Sequence, residues 1–442
     1  MWIKSLFLTT RFFLALSAIV LLYVLEYLLS INVELATVVL IIFGVLIAAD
    51  IGLLYRNSEG IEADRSVPDR LSNGDDNRIG FTVTNRYLFP VSAEVIDELP
   101  EQFQVRDFGI ELNLKSGEKQ SQSYQLRPTE RGEYHFGRLL IYATSPLGLI
   151  KKRYAFGDEQ MVPVYPSFVQ MRKFELIAFS NRRAEAGIKR IRRLGHTMEF
   201  DRIKEYVHGD DVRAINWKAS ARADTLMVNT YEDERSQQVI NSIDTGRVMK
   251  MPFSGMHLLD YAINTSLVIS NIVLLKEDKA GLITFSNDGS SVVRPQKKRT
   301  HIRRIQEQLY NVKTNFLESD FRRMMVTVKK NINRRSLVLL YTNFESMSSM
   351  ERQLPVLRRI AKDHLLVVIF FENSELQELL KSDPETVEEI YTKTVAEKFM
   401  FEKRLIVKTL NRYGIQTILT PPEDLSVNTI NKYLELKARG ML

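Results

Sequence analysis

The chain has 442 residues, more than a single hydrophobic core usually supports, so we expect two soluble domains in addition to any membrane segment. Its formal charge of +7, from 61 Lys and Arg against 54 Asp and Glu, is too small an excess for a dedicated nucleic-acid binder. Cysteine is absent, which excludes disulfides, thiol nucleophiles and cysteine-based metal centres.

The first predicted element is a transmembrane α-hairpin over residues 1–56. Residues 12–29 and 35–55 are apolar runs, and crossing a bilayer takes about 20 such residues. Only residues 30–34 separate them, which leaves room for a turn and makes the two helices antiparallel. A cleaved signal peptide is the alternative, but a second apolar run follows at once with no cleavage site between the two.

The charges around the hairpin predict its orientation. Lys4 and Arg11 precede the first helix and Arg56 follows the second, whereas the turn has no Lys or Arg. The positive-inside rule therefore predicts that both ends, and the domains after them, are cytoplasmic. Glu26 and Asp50 interrupt the apolar runs near their ends, which favours snorkelling to the lipid headgroups over an ion relay.

Residues 57–167 are predicted to form an antiparallel β-sandwich. Ile79, Phe81 and Val83 alternate with polar side chains, which is the pattern of a half-buried strand. Turn sequences such as Ser72-Asn73-Gly74 recur between the apolar runs. No cluster of candidate catalytic groups occurs in this part of the sequence.

Residues 168–236 are predicted to be a basic linker followed by a charged motif. The segment 182–193 is strongly basic and could contact anionic lipid or nucleic acid, but no aromatic residues alternate with its charges to stack on bases. In the motif, Gly209-Asp210-Asp211 predicts a turn, which we expect ion pairs with Arg213 or Arg222 to hold.

The stretch from Gly195 to Glu232 closely resembles the signature of a bacterial family catalogued as domain of unknown function fifty-eight. Asn216 and Ser145 stand where that family commonly has Asp, which argues against an acid role at either position. The residues of the signature that we expect to mediate interactions are Glu199, Glu205, Tyr206, Asp210, Asp211, Arg213, Trp217, Arg222 and Glu232.

Residues 237–442 alternate short apolar runs with amphipathic ones, which predicts a largely parallel sheet covered by helices on both faces. The order of elements resembles a von Willebrand factor A (VWA) domain. The predicted strands are 239–243, 281–285, 337–341, 365–371 and 415–419, and the predicted helices are 258–275, 301–310, 321–331, 350–362, 384–412 and 426–438.

The VWA resemblance implies a metal site with an Asp-x-Ser-x-Ser loop and a later Asp. Here Asp244 is kept, but Gly246 and Val248 replace the serines and Asn343 replaces the later Asp. Magnesium prefers a full shell of oxygen ligands, so we expect a degenerate site with weak Mg²⁺ binding at most. The rim around Asp244, Arg247 and Asn343 is then predicted to dock protein, the alternative being that Asp244 caps the following helix.

Sequences that bind nucleotides or build known hydrolytic sites are absent, so a partner would have to supply energy or chemistry. The family resemblance implies an AAA+ ATPase of the MoxR type. The leading interpretation is a non-enzymatic scaffold or adaptor, tethered to the bacterial inner membrane in contact with its lipids, that serves assembly or maturation of envelope proteins and binds no nucleic acid.

Two other functions stay open on the sequence. Asp210, Asp211, Glu232, Asp233 and Glu234 could form a metal-dependent hydrolase site, although neighbouring arginines would neutralise them in ion pairs. Binding of anionic lipid or nucleic acid through residues 182–193 is the second, and it predicts a steep salt dependence.

Overall fold

The computed structural model describes residues 5–29, 34–105, 108–179, 199–208, 210–232, 236–314, 317–373, 380, 384 and 386–442, without the side chains of 176–179, 199–202 and 230–232. The chain divides into two compact units, Met1–Tyr165 and Pro166–Leu442, which we call the N-terminal unit and the C-terminal unit. The apolar hairpin and the β-structure after it therefore belong to the same unit.

Two long apolar helices open the N-terminal unit, α1 (Thr10–Leu28) and α2 (Leu35–Tyr55). Both are long and apolar enough to cross a membrane, and few of their side chains are buried by the protein itself. Thr9 begins α1, because its side-chain oxygen accepts a hydrogen bond from the Phe12 N–H. These two helices support membrane anchoring.

The rest of the N-terminal unit is β-structure, as the alternation of Ile79, Phe81 and Val83 predicts, and all three of these side chains are buried. In chain order its strands are β1 (Leu6–Leu8), β2 (Ile61–Ser66), β3 (Leu71–Ser72), β4 (Asn77–Asn85), β5 (Val91–Asp97), β6 (Ile110–Leu114), β7 (Lys119–Leu126), β8 (Gly132–Phe136), β9 (Leu139–Thr144), β10 (Ile150–Phe156) and β11 (Gln160–Tyr165).

These strands form three sheets, β1-β10-β9-β5-β6, β2-β4-β7 and β3-β11-β8. Among the described pairings, β3 with β11 is parallel and the others are antiparallel. Side chains from the first two sheets share one apolar core, which includes Phe81, Val83, Val95 and Ile141. A smaller core around Phe136 joins the third sheet to β4 and β7.

The carboxylates of the hairpin do not snorkel in the way the sequence suggested. Glu26 Oε1 accepts a hydrogen bond from the Ala36 N–H at 2.8 Å, so it satisfies a free N–H in the first turn of α2. Asp50 is fully buried within the N-terminal unit. Both carboxylates are therefore used in internal hydrogen bonds.

Asp50 connects α2 to the loop between β9 and β10. Its carboxylate accepts hydrogen bonds from the Ser145 hydroxyl and from the N–H groups of Leu149 and Ile150, at 3.0 and 3.1 Å. The Ser-Pro-Leu-Gly-Leu loop at residues 145–149 thus surrounds a carboxylate from α2. The hairpin is bonded into the β-structure.

The C-terminal unit alternates helices and strands. In chain order they are α3 (Phe168–Phe179), β12 (Glu199–Glu205), α4 (Trp217–Ala223), β13 (Met227–Glu232), β14 (Gln238–Asp244), β15 (Pro252–Phe253), β16 (Met256–His257), α5 (Leu258–Leu275), β17 (Lys279–Phe285), β18 (Ser290–Gln296), α6 (His301–Tyr310), α7 (Phe321–Asn331), β19 (Leu337–Tyr341), α8 (Met347–Asp363), β20 (Leu365–Phe371), α9 (Val387–Arg412), β21 (Gln416–Thr420) and α10 (Leu425–Ala438).

Its main sheet has the order β18-β17-β14-β19-β20-β21 and is parallel except for β18. Numbered by appearance in the sheet this is 3-2-1-4-5-6, the order of a doubly wound α/β fold. Val239 and Leu339 face a core with α5, whereas Ile240 and Leu340 face the other core with α7, α8 and α9. The predicted parallel sheet with two covered faces is therefore present.

Helix α5 is also apolar enough to span a membrane, yet 89% of it is buried in the C-terminal unit, so it is a core helix. Helix α3 packs beside it with Phe174 in the same core, and the Ser167 N–H donates to Asn264 Oδ1 at 2.9 Å. Residues 168–179, expected to be linker, are therefore part of the α/β fold. The basic segment 182–193 lies outside the described residues.

Candidate functional site

The carboxyl ends of β14, β19 and β20 form one edge of the sheet, and we call residues 244–247, 342–345 and 371–373 the strand-end rim. After β14 the chain winds toward β17 on one side, and from β19 it winds toward β20 on the other. The crevice at such a switch point is where ligands bind in open α/β sheets. The rim is therefore the first place to look for a site.

Asp244, the last residue of β14, is fully buried at this switch point. Ser319 Oγ lies 2.6 and 2.7 Å from its two carboxylate oxygens, Thr342 Oγ1 donates at 2.7 Å and the Gly246 N–H at 2.9 Å. Burial raises the pKa of Asp244 above its ordinary value, and these hydrogen bonds oppose the rise. The carboxylate is thus fully engaged in the protein's own bonds.

The alternative role for Asp244, capping the next helix, is not what the structure shows. Residues Arg247–Lys250 form a short 3-10 turn whose N-cap is Gly246, and no side chain caps it. The carboxylate turns instead toward Ser319, a residue that the sequence did not single out. No spacing motif relates Ser319 to Asp244, because 75 residues separate the two in the chain.

Gly246 makes room for Ser319. A Cβ atom on Gly246 would lie 2.3 Å from Ser319 Oγ and 3.1 Å from Asp244 Oδ1, distances too short for real side-chain contacts. A serine at position 246, as in the metal-binding VWA pattern, therefore does not fit while Ser319 occupies this place. In the described part of the chain no group of three or more His, Cys, Asp or Glu side chains could hold a metal ion.

The residues at the rim thus do not fit the Mg²⁺ that the fold family implies. Magnesium needs six oxygen ligands in near-octahedral geometry. Here one carboxylate is present, and its oxygens already accept three hydrogen bonds from side chains or backbone. No chemical step is therefore derived through a metal ion.

Of the three residues predicted to form the docking rim, only Arg247 presents an exposed side chain. Its guanidinium lies 3.5 Å from Glu318, and both side chains are more than half exposed, so this ion pair contributes little to stability. Asn343 is buried, and its Oδ1 accepts a hydrogen bond from Lys403 Nζ at 2.5 Å. The predicted residues lie on one edge, but two of them face inward.

A cavity of about 330 Å³ opens at the rim, beside Asn343. Burial lowers the pKa of its lysine, Lys403 of α9, to about 8, while the charges of Glu345 and Glu372 act in the opposite direction. No sequence pattern indicates this cavity, because it combines side chains from four separate segments. Its lining residues are Met251, Pro252, Phe253, Leu258, Asn343, Glu345, Phe371, Glu372, Asn373, Phe399, Met400 and Lys403.

The charged motif forms a small structure of its own. Strands β12 and β13 pair as an antiparallel ribbon, and a short 3-10 turn and α4 lie between them in the chain. Asp210 accepts from Lys204 Nζ at 2.9 Å and from the Val207 N–H at 3.1 Å, and the bond from Lys204 is the main reason that its pKa is lowered. The expected pair of Asp210 with an arginine is therefore wrong.

Asp211 also differs from expectation. Its carboxylate accepts from the backbone N–H of Arg213 at 3.0 Å and caps the 3-10 turn, and among the described residues it forms no ion pair with Arg213 or Arg222. Asn216, which stands where the family commonly has Asp, accepts from the Ala219 N–H and caps α4. In these two positions the motif provides local caps.

The remaining signature residues are mostly at the surface. Trp217 is 71% exposed, Tyr206 is half-buried, and Glu205, Arg213 and Arg222 are exposed. The backbones of Glu199 and Glu232 face each other across the ribbon, and their side chains lie outside the described residues. Asp233 and Glu234 lie outside as well. Asp210 and Asp211 are each used in a local bond, so these two supply no shared carboxylate site.

The fold and the site define the class of this protein: a VWA-like α/β unit in a chain that begins with two apolar helices. A family model described as "Protein of unknown function DUF58" matches residues 202–403. This match includes most of the signature, Gly195 to Glu232, that carries the resemblance to the same family.

One relative of known sequence is the uncharacterized protein YeaD of Bacillus subtilis (strain 168). It is 30% identical over 184 residues, which cover 38% of this chain and 44% of YeaD. The chain thus matches less than half of that relative's length, and the name of the relative assigns no activity.

Two solved structures illustrate how distant the structural neighbours are. The VWA domain of SpRpn10 aligns with a TM-score of 0.29 and 12% identity, covering 44% of this chain and 93% of that domain. The CARDB domain of the PF1109 protein from Pyrococcus furiosus aligns with a TM-score of 0.18 and 13% identity, covering 24% and 91%. Scores this low support no argument, so the VWA-like assignment rests on the strand order.

Proposed function

We propose that this protein is a non-enzymatic, membrane-tethered adaptor that docks a protein partner at the strand-end rim. The observation that supports this most directly is the bonding of Asp244, whose carboxylate is buried and accepts hydrogen bonds from Ser319, Thr342 and Gly246. Because these bonds already occupy the oxygens of Asp244, the carboxylate is poorly placed to hold a metal ion. The rim then acts through its shape and charge.

The proposed partner is an AAA+ ATPase of the MoxR type, and the proposed clients are envelope proteins during assembly or maturation. This part of the proposal rests on the family resemblance and on the lack of an ATP-binding loop in the sequence. Nucleic acid is not a proposed partner, because the net charge is small for a chain of this length.

The proposed location is the bacterial inner membrane, with lipid around α1 and α2 and the chain after α2 in the cytoplasm. The excess of Lys and Arg at the two ends of the hairpin supports this orientation. We also propose that the antiparallel sheets of the N-terminal unit form a β-sandwich, since two of them share one apolar core.

A photocrosslinking experiment tests the docking surface. The crosslinker p-benzoylphenylalanine would replace Arg247, an exposed residue at the rim, or Lys362, an exposed control residue at the end of α8, next to the amino end of β20. In intact membranes we expect an ATPase of the MoxR class in the products from position 247 and not from 362. Recovery of that ATPase equally from both positions, or from neither, would overturn the proposal.

Labelling of single cysteines tests the orientation. The chain has no cysteine, so Glu34→Cys before α2 and Ser58→Cys after it give clean single sites. In whole cells a membrane-impermeant maleimide should label position 34 and reach position 58 only after permeabilisation. The reverse pattern would show the opposite orientation.

A further inference from the structure

We infer that the cavity at the strand-end rim binds a segment of a protein partner in which a large apolar side chain is followed by a basic residue. The inference rests on the proposed docking function and adds the chemistry that the partner must present. The cavity lies between the ends of β19 and β20 and helix α9, next to Asn343. It is separate from the hydrogen-bonded group around Asp244.

The apolar requirement follows from the walls of the cavity. Most of the lining residues are apolar, among them Met251, Phe253, Phe371, Phe399 and Met400. The volume of about 330 Å³ is at the small end of the range for ligand pockets. A space of this size and composition suits one large apolar side chain. Burial of such a side chain on docking is favourable because it leaves water.

The basic requirement follows from the charges at the cavity. Two carboxylates, Glu345 and Glu372, face one ammonium, that of Lys403, and Lys403 Nζ is already bonded to Asn343 Oδ1 and lies 5.7 Å from the ring centre of Phe370. The pKa of Lys403 is lowered to about 8, so this positive charge is partly lost at slightly alkaline pH. The excess charge is therefore negative, which favours a cationic group on the partner.

The exposed edges of the cavity indicate a protein segment rather than a small molecule. Met251 and Phe399 line the cavity and are still 44% and 47% exposed. An occupant that also covers these outer surfaces must extend beyond the cavity. Exposed apolar side chains at the edge of a pocket are typical of protein docking sites.

The probe for the test is the dipeptide N-acetyl-Phe-Arg-amide, with N-acetyl-Phe-Glu-amide and N-acetyl-Gly-Arg-amide as matched controls. The full chain in lipid nanodiscs would carry ¹³C-methyl methionine, and Met251→Leu and Met400→Leu would assign the two resonances of the cavity. We expect the Phe-Arg probe to shift both resonances at concentrations about tenfold lower than either control. The Phe-Glu control lacks the two favourable charge pairs with Glu345 and Glu372, and the Gly-Arg control lacks the apolar side chain.

Variants of the cavity residues then test the apolar requirement and the basic requirement separately. Glu345→Gln combined with Glu372→Gln should weaken binding of Phe-Arg about fivefold to tenfold, whereas Glu351→Gln on the exposed surface of α8 should leave it unchanged. Phe399→Ser should abolish the shifts. Phe401→Ser, at a 66% exposed residue of the same helix that does not line the cavity, is the matched control.

Equal affinity for Phe-Arg and Phe-Glu, or shifts that survive Phe399→Ser, would overturn the inference. So would shifts of Met251 and Met400 that depend on protein concentration without peptide, because a second copy of the chain would then be the occupant. If the crosslinker at position 247 recovers its ATPase and the dipeptide fails, the proposed function stands and this inference falls. If the dipeptide binds and no ATPase is recovered, the inference stands and that partner is wrong.

Discussion

The hydroxyl of Ser319 lies within hydrogen-bond distance of both carboxylate oxygens of Asp244, in the place that a serine at position 246 would need. Hydroxyl donors at this position give the buried Asp244 carboxylate hydrogen-bond partners without a metal ion. A buried carboxylate without hydrogen-bond partners is costly. The hydroxyl groups of Ser319 and Thr342 therefore stabilise the C-terminal unit as well as shaping the rim.

Loss of the Ser319 hydroxyl should therefore weaken the C-terminal unit. Ser319→Ala removes a bond to a charged, buried acceptor, and we expect the free energy of unfolding to fall by about 1–3 kcal/mol. Pulse proteolysis of the full chain in urea would measure the change. Ser348→Ala, at an exposed position of α8, is the control and should change stability by less than about 0.5 kcal/mol. A silent Ser319→Ala would contradict the role given to this residue.

Lys403 gives a prediction for the dependence of stability on pH. Its pKa is about 8 in the folded protein, whereas the ordinary pKa of a lysine is 10.5, so the unfolded chain binds more protons between these values. Stability should therefore rise with pH from about 8 to about 10.5, by up to about 3–4 kcal/mol, as the cost of burying the charge is relieved. This gain in stability is lost again as the pH falls toward 8.

The comparison with Lys403→Met isolates this contribution from the other groups that titrate at alkaline pH. Urea unfolding followed by circular dichroism at 222 nm would give the free energy at several pH values. We expect the difference between the wild-type chain and the variant to change with pH over this range. A difference that stays constant would show that Lys403 has an ordinary pKa.

At the scale of elements, the C-terminal unit was largely predictable. Helices α5, α6 and α7 have the predicted bounds, because their apolar residues repeat with helical spacing and capping residues mark ends such as Asp320 before α7. Strands β19 and β20 also match, since central strands of a parallel sheet are continuous apolar runs.

The missed elements have a different physical origin. Strand β18 carries Ser290, Ser291, Arg294 and Gln296, and it lies at an edge of the sheet, where only one neighbour is needed and polar side chains are tolerated. Helix α3 lies within the segment predicted to be a basic linker. Its position depends on Phe174 packing against α5, a tertiary contact that local sequence cannot indicate.

The same limit applies to the sites. The positions of Asp244 and Asn343 at strand ends could be predicted, since strands end where apolar runs end. The partners of these residues, Ser319 and Lys403, come from elements far away in the chain. Asp50 is similar, because the sequence places it in a membrane helix but does not show that a loop near residue 145 surrounds it.

The bond between α2 and the β9–β10 loop predicts a stability effect of Asp50. Asp50→Ala leaves the N–H groups of Leu149 and Ile150 without their acceptor, so we expect a loss of about 2–4 kcal/mol in the N-terminal unit. Asp64→Ala, at an exposed position of β2, is the control and should have little effect. Pulse proteolysis in detergent would compare the two variants, and equal stability would contradict the bonded junction.

At the scale of the whole molecule, the hairpin is an integral part of the N-terminal unit rather than a separable anchor. Strand β1, just before α1, pairs with β10. At the end of α2, the buried Lys152 donates to the carbonyls of Leu54 and Asn57, at 3.0 and 2.9 Å. Strand pairing and hydrogen bonds therefore connect both ends of the hairpin to the β-structure of the N-terminal unit.

Removing the hairpin should therefore disturb the N-terminal unit and spare the C-terminal one. A chain that starts at Asn57 lacks β1, Asp50 and the Leu54 carbonyl, so β10 loses its outer neighbour and Lys152 loses an acceptor. We expect amide hydrogen exchange in β9 and β10 to become at least about tenfold faster, because each 1.4 kcal/mol of lost local stability gives that factor. Exchange in β14 and β19 is the internal control and should stay unchanged. Equal protection of β9 and β10 with and without the hairpin would show that the anchor is only a tether.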